Sequence, residues 1–221
     1  MRMLVLVKDS SQVPRNKSLK IFHQNIRGLG NKSNELCCHL RHDLPHILCL
    51  AEHLLSVSEL QLIHLTNYLL GANYCRKTFL RGDVSIFVYR SLKYNTINID
   101  EYNIDKDTES CAIRVDSAFN KLCILTIYRY PRGNFTHFLN RLDLILQKFY
   151  NNNFNIIICG DVNVNYPIGN NRRSQLDSVL HSYNLAGIVK FPSTFGLNCH
   201  TAIDNVFISH PPLENMIYAL L

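Results

Sequence analysis

Tryptophan is absent from these 221 residues, and methionine occurs only three times. The aromatic complement is therefore tyrosine and phenylalanine, eleven of each. No apolar run approaches the roughly 20 residues that cross a bilayer as a helix, so no membrane span is expected. The opening Met1-Arg2-Met3-Leu4-Val5-Leu6-Val7 starts like a secretory leader, but Lys8 and Asp9 cut its apolar part short. Secretion is therefore not expected, and an intracellular location is. None of the eight cysteines forms a Cys-x-x-Cys; Cys37 and Cys38 are adjacent, and Cys49, Cys123 and Cys159 lie in apolar stretches. That spacing argues against a disulfide framework or a zinc site, and for reduced thiols packed as small apolar residues. Beyond the Asn-rich 151–155 there is no internal repeat or low-complexity tract.

What is present is the composition of a globular chain, 47% hydrophobic and 18% charged. Its net charge of +6 permits an anionic partner without requiring one. The length favours one large domain, expected over residues 19–221 and as a monomer. A polar, loosely held lead-in is expected over residues 1–18.

The stretch Asn155-Ile156-Ile157-Ile158-Cys159-Gly160-Asp161-Val162-Asn163 organises the rest. Its apolar run reads as a strand buried on both faces, broken by Gly160. Asp161 and Asn163 are two apart and share a face in extended chain. They would stand at the end of a central strand, where open α/β sheets hold ligands. An Asx-type turn is the plainer account of the same residues.

Other strands are predicted over 19–26, 46–51, 84–90, 95–99, 110–116 and 121–128, with a last one over 201–209. Helices are predicted over 34–43, 58–66 and 135–150, the last from a stripe running from Phe135 to Phe149 with Asn134 as N-cap. After a polar loop over 166–173, a helix is predicted from Ser174, with Asp177 completing a capping box. Strands in runs with helices between them fit a layered α/β (α+β) sandwich of two sheets flanked by helices.

Asn25, Glu52, Tyr128, Asp161 and Asn163 end the best strands, and Asp204 and Asn205 interrupt the last one. Carboxylates, amides and a phenol at such positions make a polar site at one edge of the sheets. Oxygen donors without paired Cys or His suit a hard cation such as Mg²⁺. Arg27, Arg129, Arg132, Arg172 and Arg173 lie beside these positions. Arginine suits bidentate phosphate contact, although any single one is more simply a solvated loop charge. A cation next to phosphate-binding arginines points to phosphodiester chemistry.

The order Gln24-Asn25-Ile26-Arg27-Gly28, Ala51-Glu52-His53, Ile127-Tyr128-Arg129-Tyr130-Pro131, Gly160-Asp161-Val162-Asn163 and Ala202-Ile203-Asp204-Asn205 resembles the endonuclease/exonuclease/phosphatase superfamily. Within it, the chain looks like the endonuclease domain that precedes the reverse transcriptase of non-LTR retrotransposons. That domain is similar to apurinic/apyrimidinic endonucleases and to DNase I. The resemblance covers about residues 19–210. It implies a four-layer α/β sandwich and an endonuclease dependent on Mg²⁺ (or Mn²⁺) that acts on DNA. It also implies a nuclear site of action and a reverse transcriptase domain in a longer parent protein. By the same resemblance Glu52 is the main metal ligand, with Asn25 assisting at metal and phosphate, and Tyr128 contacts the scissile phosphate. Asp161 orients or activates the attacking water, Asn163 braces the phosphate, and Asp204 orients a catalytic histidine.

Several positions depart from the family pattern. Leu54 stands where a tryptophan is usual, Arg81-Gly82-Asp83 replaces a Gly-rich segment, and Thr194-Phe195 lacks an expected DNA-contacting arginine. The family's Ser-Asp-His strand end downstream of Asp204 is absent from the 221 residues. The expectation is a sandwich lacking its final strand and a weak or inactive centre. None of His53, His200 and His210 is expected to replace that histidine. A non-catalytic nucleic-acid-binding remnant and a phosphatase of the same superfamily are the alternatives.

Overall fold

The computed structural model describes residues 2–8, 18–40, 44–77, 82–115, 121–166, 169–189, 194–196, 199–201, 203–209 and 217–220. The chain opens with strands β1 (Arg2–Lys8) and β2 (Ser18–Asn25), then α1 (Ser33–Leu40), β3 (Ile47–Ala51), α2 (Val57–Leu62), β4 (Tyr68–Tyr74) and β5 (Val84–Tyr89). Next come β6 (Tyr94–Ile97), β7 (Thr108–Val115), β8 (Leu122–Arg129), α3 (Phe135–Asn151), β9 (Asn155–Asp161), α4 (Asn171–His181) and β10 (Leu185–Gly187). A small pair, β11 (Thr194–Gly196) and β12 (Cys199–Thr201), precedes β13 (Asp204–Ser209) and β14 (Ile217–Leu220). One six-stranded sheet has the order β14-β1-β2-β3-β5-β4, and the other β10-β13-β9-β8-β7-β6.

Period-2 alternation separates the layers. In β3, Ile47, Cys49 and Ala51 join the core between the sheets, while Leu48 and Leu50 pack with Leu36, Leu40 and Leu60 from α1 and α2. In β2, Leu19 and Ile21 face the inter-sheet core and Phe22 the helical side, which puts His23 and Asn25 in phase with the inter-sheet face. On the far side α3 buries Phe138, Leu139, Leu142, Ile145, Leu146 and Phe149, each contributing about 2 kcal/mol of apolar burial. Its N-cap is Asn134, which accepts from the Thr136 and His137 N–H groups. The result is the expected four-layer α/β sandwich.

Each sheet contains one parallel neighbour pair, β2 with β3 and β8 with β9. The carboxyl ends of these four strands carry Asn25, Ala51 followed by Glu52, Tyr128 followed by Arg129, and Asp161. Gly160 does not break β9. It lies inside the strand, where an added Cβ would overlap the Ile127 carbonyl oxygen of β8.

Three expectations are corrected. Residues 2–8 are not a loose lead-in: they pair with β2 from Arg2↔Gln24 to Lys8↔Ser18, because a polar run further on hid an apolar strand. The last strand, Ile217–Leu220, pairs its backbone groups with β1 from Met3↔Leu220 to Leu6↔Ile217. The fourth helix starts at Asn171 with Asn170 as N-cap, so Arg172 and Arg173 sit in its first turn and not in a loop. The expected Ser174–Asp177 box is absent because Ser174 lies inside the helix, its N–H donating to the Asn170 carbonyl, and the Asp177 carboxylate is engaged by Tyr166 and Arg173. In addition α2, expected over 58–66, runs from Val57 to Leu62 and is started by a capping box of Ser56 and Glu59. Residues 41–43, His210 and residue 116 lie outside the described residues.

Candidate active site

Asn25 is the joint of the site. Its Nδ2 donates to Glu52 Oε1 at 3.0 Å and to Asp161 Oδ2 at 2.9 Å, so one amide links the end of β3 in one sheet to the end of β9 in the other. Its Oδ1 is buried with no hydrogen-bond partner.

Glu52 leaves β3 with φ of 53°, a left-handed conformation that costs a non-glycine residue roughly 1–2 kcal/mol. Two backbone bonds hold it there: its N–H donates to the Asp83 carbonyl and its carbonyl accepts from the Gly28 N–H, both at 2.8 Å. Strain of this kind gathers at functional sites. His53 is fully buried, and its partners are the Leu55 N–H and Cys75 Sγ. Burial lowers its pKa to about 4.

Asp161 is almost fully buried, and burial together with neighbouring Asp204 pushes its carboxyl well above the usual range. Asp204 lies directly opposite it across the β9–β13 pair. The Asn163 N–H donates to Asp161 Oδ1 at 3.1 Å. Tyr128 pairs with Asp161 in register, and burial beside Glu52 and Asp161 raises its phenol. The sandwich therefore brings Asn25, Glu52, Tyr128, Asp161, Asn163 and Asp204 to one end of the inter-sheet space.

The arginines divide. Arg129, expected at phosphate, is fully buried. Its Nε donates to the Val162 carbonyl at 2.7 Å, Nη1 to Tyr130 at 3.0 Å and Nη2 to Asn163 at 2.9 Å. Asn163 Nδ2 returns a bond to the Arg129 carbonyl at 2.7 Å, which holds Asn163 at φ of 49°. The guanidinium packs over Phe135 and Phe138. Arg129 thus clamps the 161–163 turn from behind, because on a strand it points opposite to Tyr128. Arg173 is tied to Asp177 and to the Tyr166 carbonyl. Arg27, Arg132 and Arg172 are exposed, Arg172 lying over the outer side of Phe135.

Sequence reasoning missed three supporting residues. The Arg76 side chain is buried, stacks 5.9 Å from the Tyr128 ring centre and 5.5 Å from Tyr130, and donates to Glu109. Asp83 accepts from the Arg76 N–H at 2.6 Å and donates its own N–H to Glu109 at 2.6 Å. Burial raises the carboxyl of Asp83 to about 6 and of Glu109 to about 7. This web stands behind Glu52 and Tyr128. The Arg81-Gly82-Asp83 motif was the available signal.

The donors fit a hard divalent cation. All are oxygens, two carboxylates converge on one amide, and that amide's other atom is buried without a partner. Among the described residues no three His, Cys, Asp or Glu side chains form a ready ligand group. Mg²⁺ needs none, since it binds through one or two carboxylates with water and substrate phosphate.

No family model and no curated protein matches the sequence. Solved structures do. The endonuclease domain of TRAS1, a telomere-specific non-LTR retrotransposon, aligns with a TM-score of 0.68 at 12% identity over 87% of this chain and 85% of that one. A humanized D. rerio TDP2 gives 0.64 at 17% identity over 88% and 86%, and the AP endonuclease LMAP from Leishmania major gives 0.64 at 14% over 87% and 79%. The chain has the DNase I-like fold of the endonuclease/exonuclease/phosphatase superfamily. At these identities the likeness is one of architecture. Among the described residues no helix is long and apolar enough to cross a membrane.

Proposed function

We propose that this chain is a divalent-metal-dependent phosphodiester hydrolase of the kind carried by non-LTR retrotransposons, one that cuts DNA slowly for want of that family's Ser-Asp-His general base. The observation that carries this reading is the Asn25 amide joining Glu52 and Asp161 across the two sheets while its Oδ1 stays unpartnered. In it, Glu52 and Asn25 hold Mg²⁺ or Mn²⁺, which when bound supplies electrophilic activation of a phosphate oxygen. Asp161, kept in register by Asn163 and Arg129, orients the attacking water. The Tyr128 hydroxyl, its proton held tightly, donates to the phosphate. Arg27, Arg132 and Arg172 meet the DNA backbone. A DNA target places the protein in the nucleus, with a reverse transcriptase in the same parent protein as its natural partner.

The test is conversion of supercoiled plasmid to the nicked form in Mg²⁺, with EDTA and Glu52→Gln as controls. Nicking abolished by both is the expected result, with Glu52→Gln lowering the rate at least about 100-fold. Salt-sensitive DNA binding with no nicking would instead mark a binding module.

A further inference from the structure

His23 is 1% exposed, in the interior between the sheets, two residues before Asn25 on the same face of β2. Its Nδ1 lies 3.1 Å from the Cys49 carbonyl oxygen. A carbonyl only accepts, so Nδ1 carries a proton in that contact. At the other end of the ring, Nε2 is 3.5 Å from Asp204 Oδ1. Both atoms are buried, and neither has a hydrogen-bond partner elsewhere. Two buried polar atoms facing each other, each otherwise unanswered, form a pair when one proton lies between them, on Nε2 or on the carboxyl, because an unsatisfied buried group is costly. Asp204 is the cross-strand neighbour of Asp161.

We propose that His23 is a positioning residue for Asp204. Through Nε2 the imidazole sets the rotation of the Asp204 carboxylate from inside the sandwich, and so fixes the charge beside Asp161. Its consequence for rate rests on the hydrolase reading above; the contact itself does not. A ring that merely filled the core between Ile21 and Asn25 would need only the Cys49 bond.

Two near-isosteric replacements separate these roles. Asparagine puts an amide nitrogen where Nδ1 is, and glutamine puts one where Nε2 is. With plasmid nicking in Mg²⁺ as the readout, His23→Gln is expected to stay close to the wild type. His23→Asn is expected to lose on the order of 10- to 100-fold in kcat with KM for DNA unchanged. Equal activity in the two variants, or retention by His23→Asn and loss by His23→Gln, overturns the proposal. If the wild type does not nick, the hydrolase reading fails, and the contact is judged by urea unfolding of His23→Asn, Asp204→Asn and the double variant. A coupled pair makes the combined change in the folding constant depart from the product of the single changes by about fivefold. A product within error overturns the contact. Should His23→Asn not fold, His23→Ala takes its place in the same cycle and is judged by the same criterion.

Discussion

Three hydrogen bonds from one guanidinium decide where Asp161 and Asn163 can stand. Arg129→Met keeps the packing on Phe135 and Phe138 but strips the donor from the Val162, Asn163 and Tyr130 carbonyls. A loss of about 3 kcal/mol is expected in urea unfolding. Arg129→Lys should recover little of it, since an ammonium cannot reproduce the fork. An unchanged midpoint in Arg129→Met would mean that the turn holds itself. At this scale the sequence was informative about residue type and poor about direction. Asn25, Glu52, Asp161 and Asp204 were readable because polar groups at the ends of apolar strands have few other uses. Arg129 was misplaced because proximity in sequence to Tyr128 outweighed the alternation of a strand. The same alternation, applied backwards from Asn25, would have exposed His23.

At the scale of elements, β8 and β9 lie so close at Gly160 that no side chain fits between them. Gly160→Ala is expected to destabilise the fold by about 3 kcal/mol and to move Asp161, so thermal unfolding and nicking should fall together. Nicking lost without a change in melting temperature would mean a local effect alone. The ends of β5 and β7 make a different prediction. Asp83 and Glu109 hold their protons to about pH 6 and 7, above their ordinary 3.8 and 4.5. The folded state therefore binds more protons than the unfolded one between those values, and stability falls as pH rises from about 4 to 7. Urea midpoints in EDTA should be higher at about pH 5 than at about pH 7.5, with a flatter profile in the Asp83→Asn/Glu109→Gln double variant. Equal slopes in the two proteins would refute the assignment. Long periodic segments such as α3 and β9 were legible, whereas β4 and β10 were not. Tyr68–Tyr74 mixes Gly71 and two asparagine-flanked tyrosines, and Leu185–Gly187 is too short to show a period.

Across the whole molecule, the two sheets each contribute one parallel pair, and the site exists only where their ends meet. The exposed arginines, Arg27 and Arg132 on separate connections and Arg172 in the first turn of α4, would surround that meeting point with positive charge. Removing Arg132 or Arg172 should weaken DNA binding uniformly across sequences and reduce the slope of log K against log salt by about 0.9 each. Fluorescence anisotropy over a salt series measures it, and a slope unchanged in both variants would remove them from the interface. This layout could be anticipated from strand order and strand ends, because a sandwich with two switch points has few other places for polar residues. The pairing of β1 with β14 could not, since nothing local in either segment names the other.

That pairing has a geographical result. Arg2 sits opposite Gln24, and Met3 opposite both His23 and Leu220. Both ends of the described chain therefore emerge side by side, about 5 Å apart at strand spacing, at the same end of the sheet as Asn25. Any polypeptide tethered to either terminus begins its course next to the candidate site. If the site cuts DNA as proposed, a fused enzyme would meet the new DNA end at a high effective concentration without needing an affinity of its own.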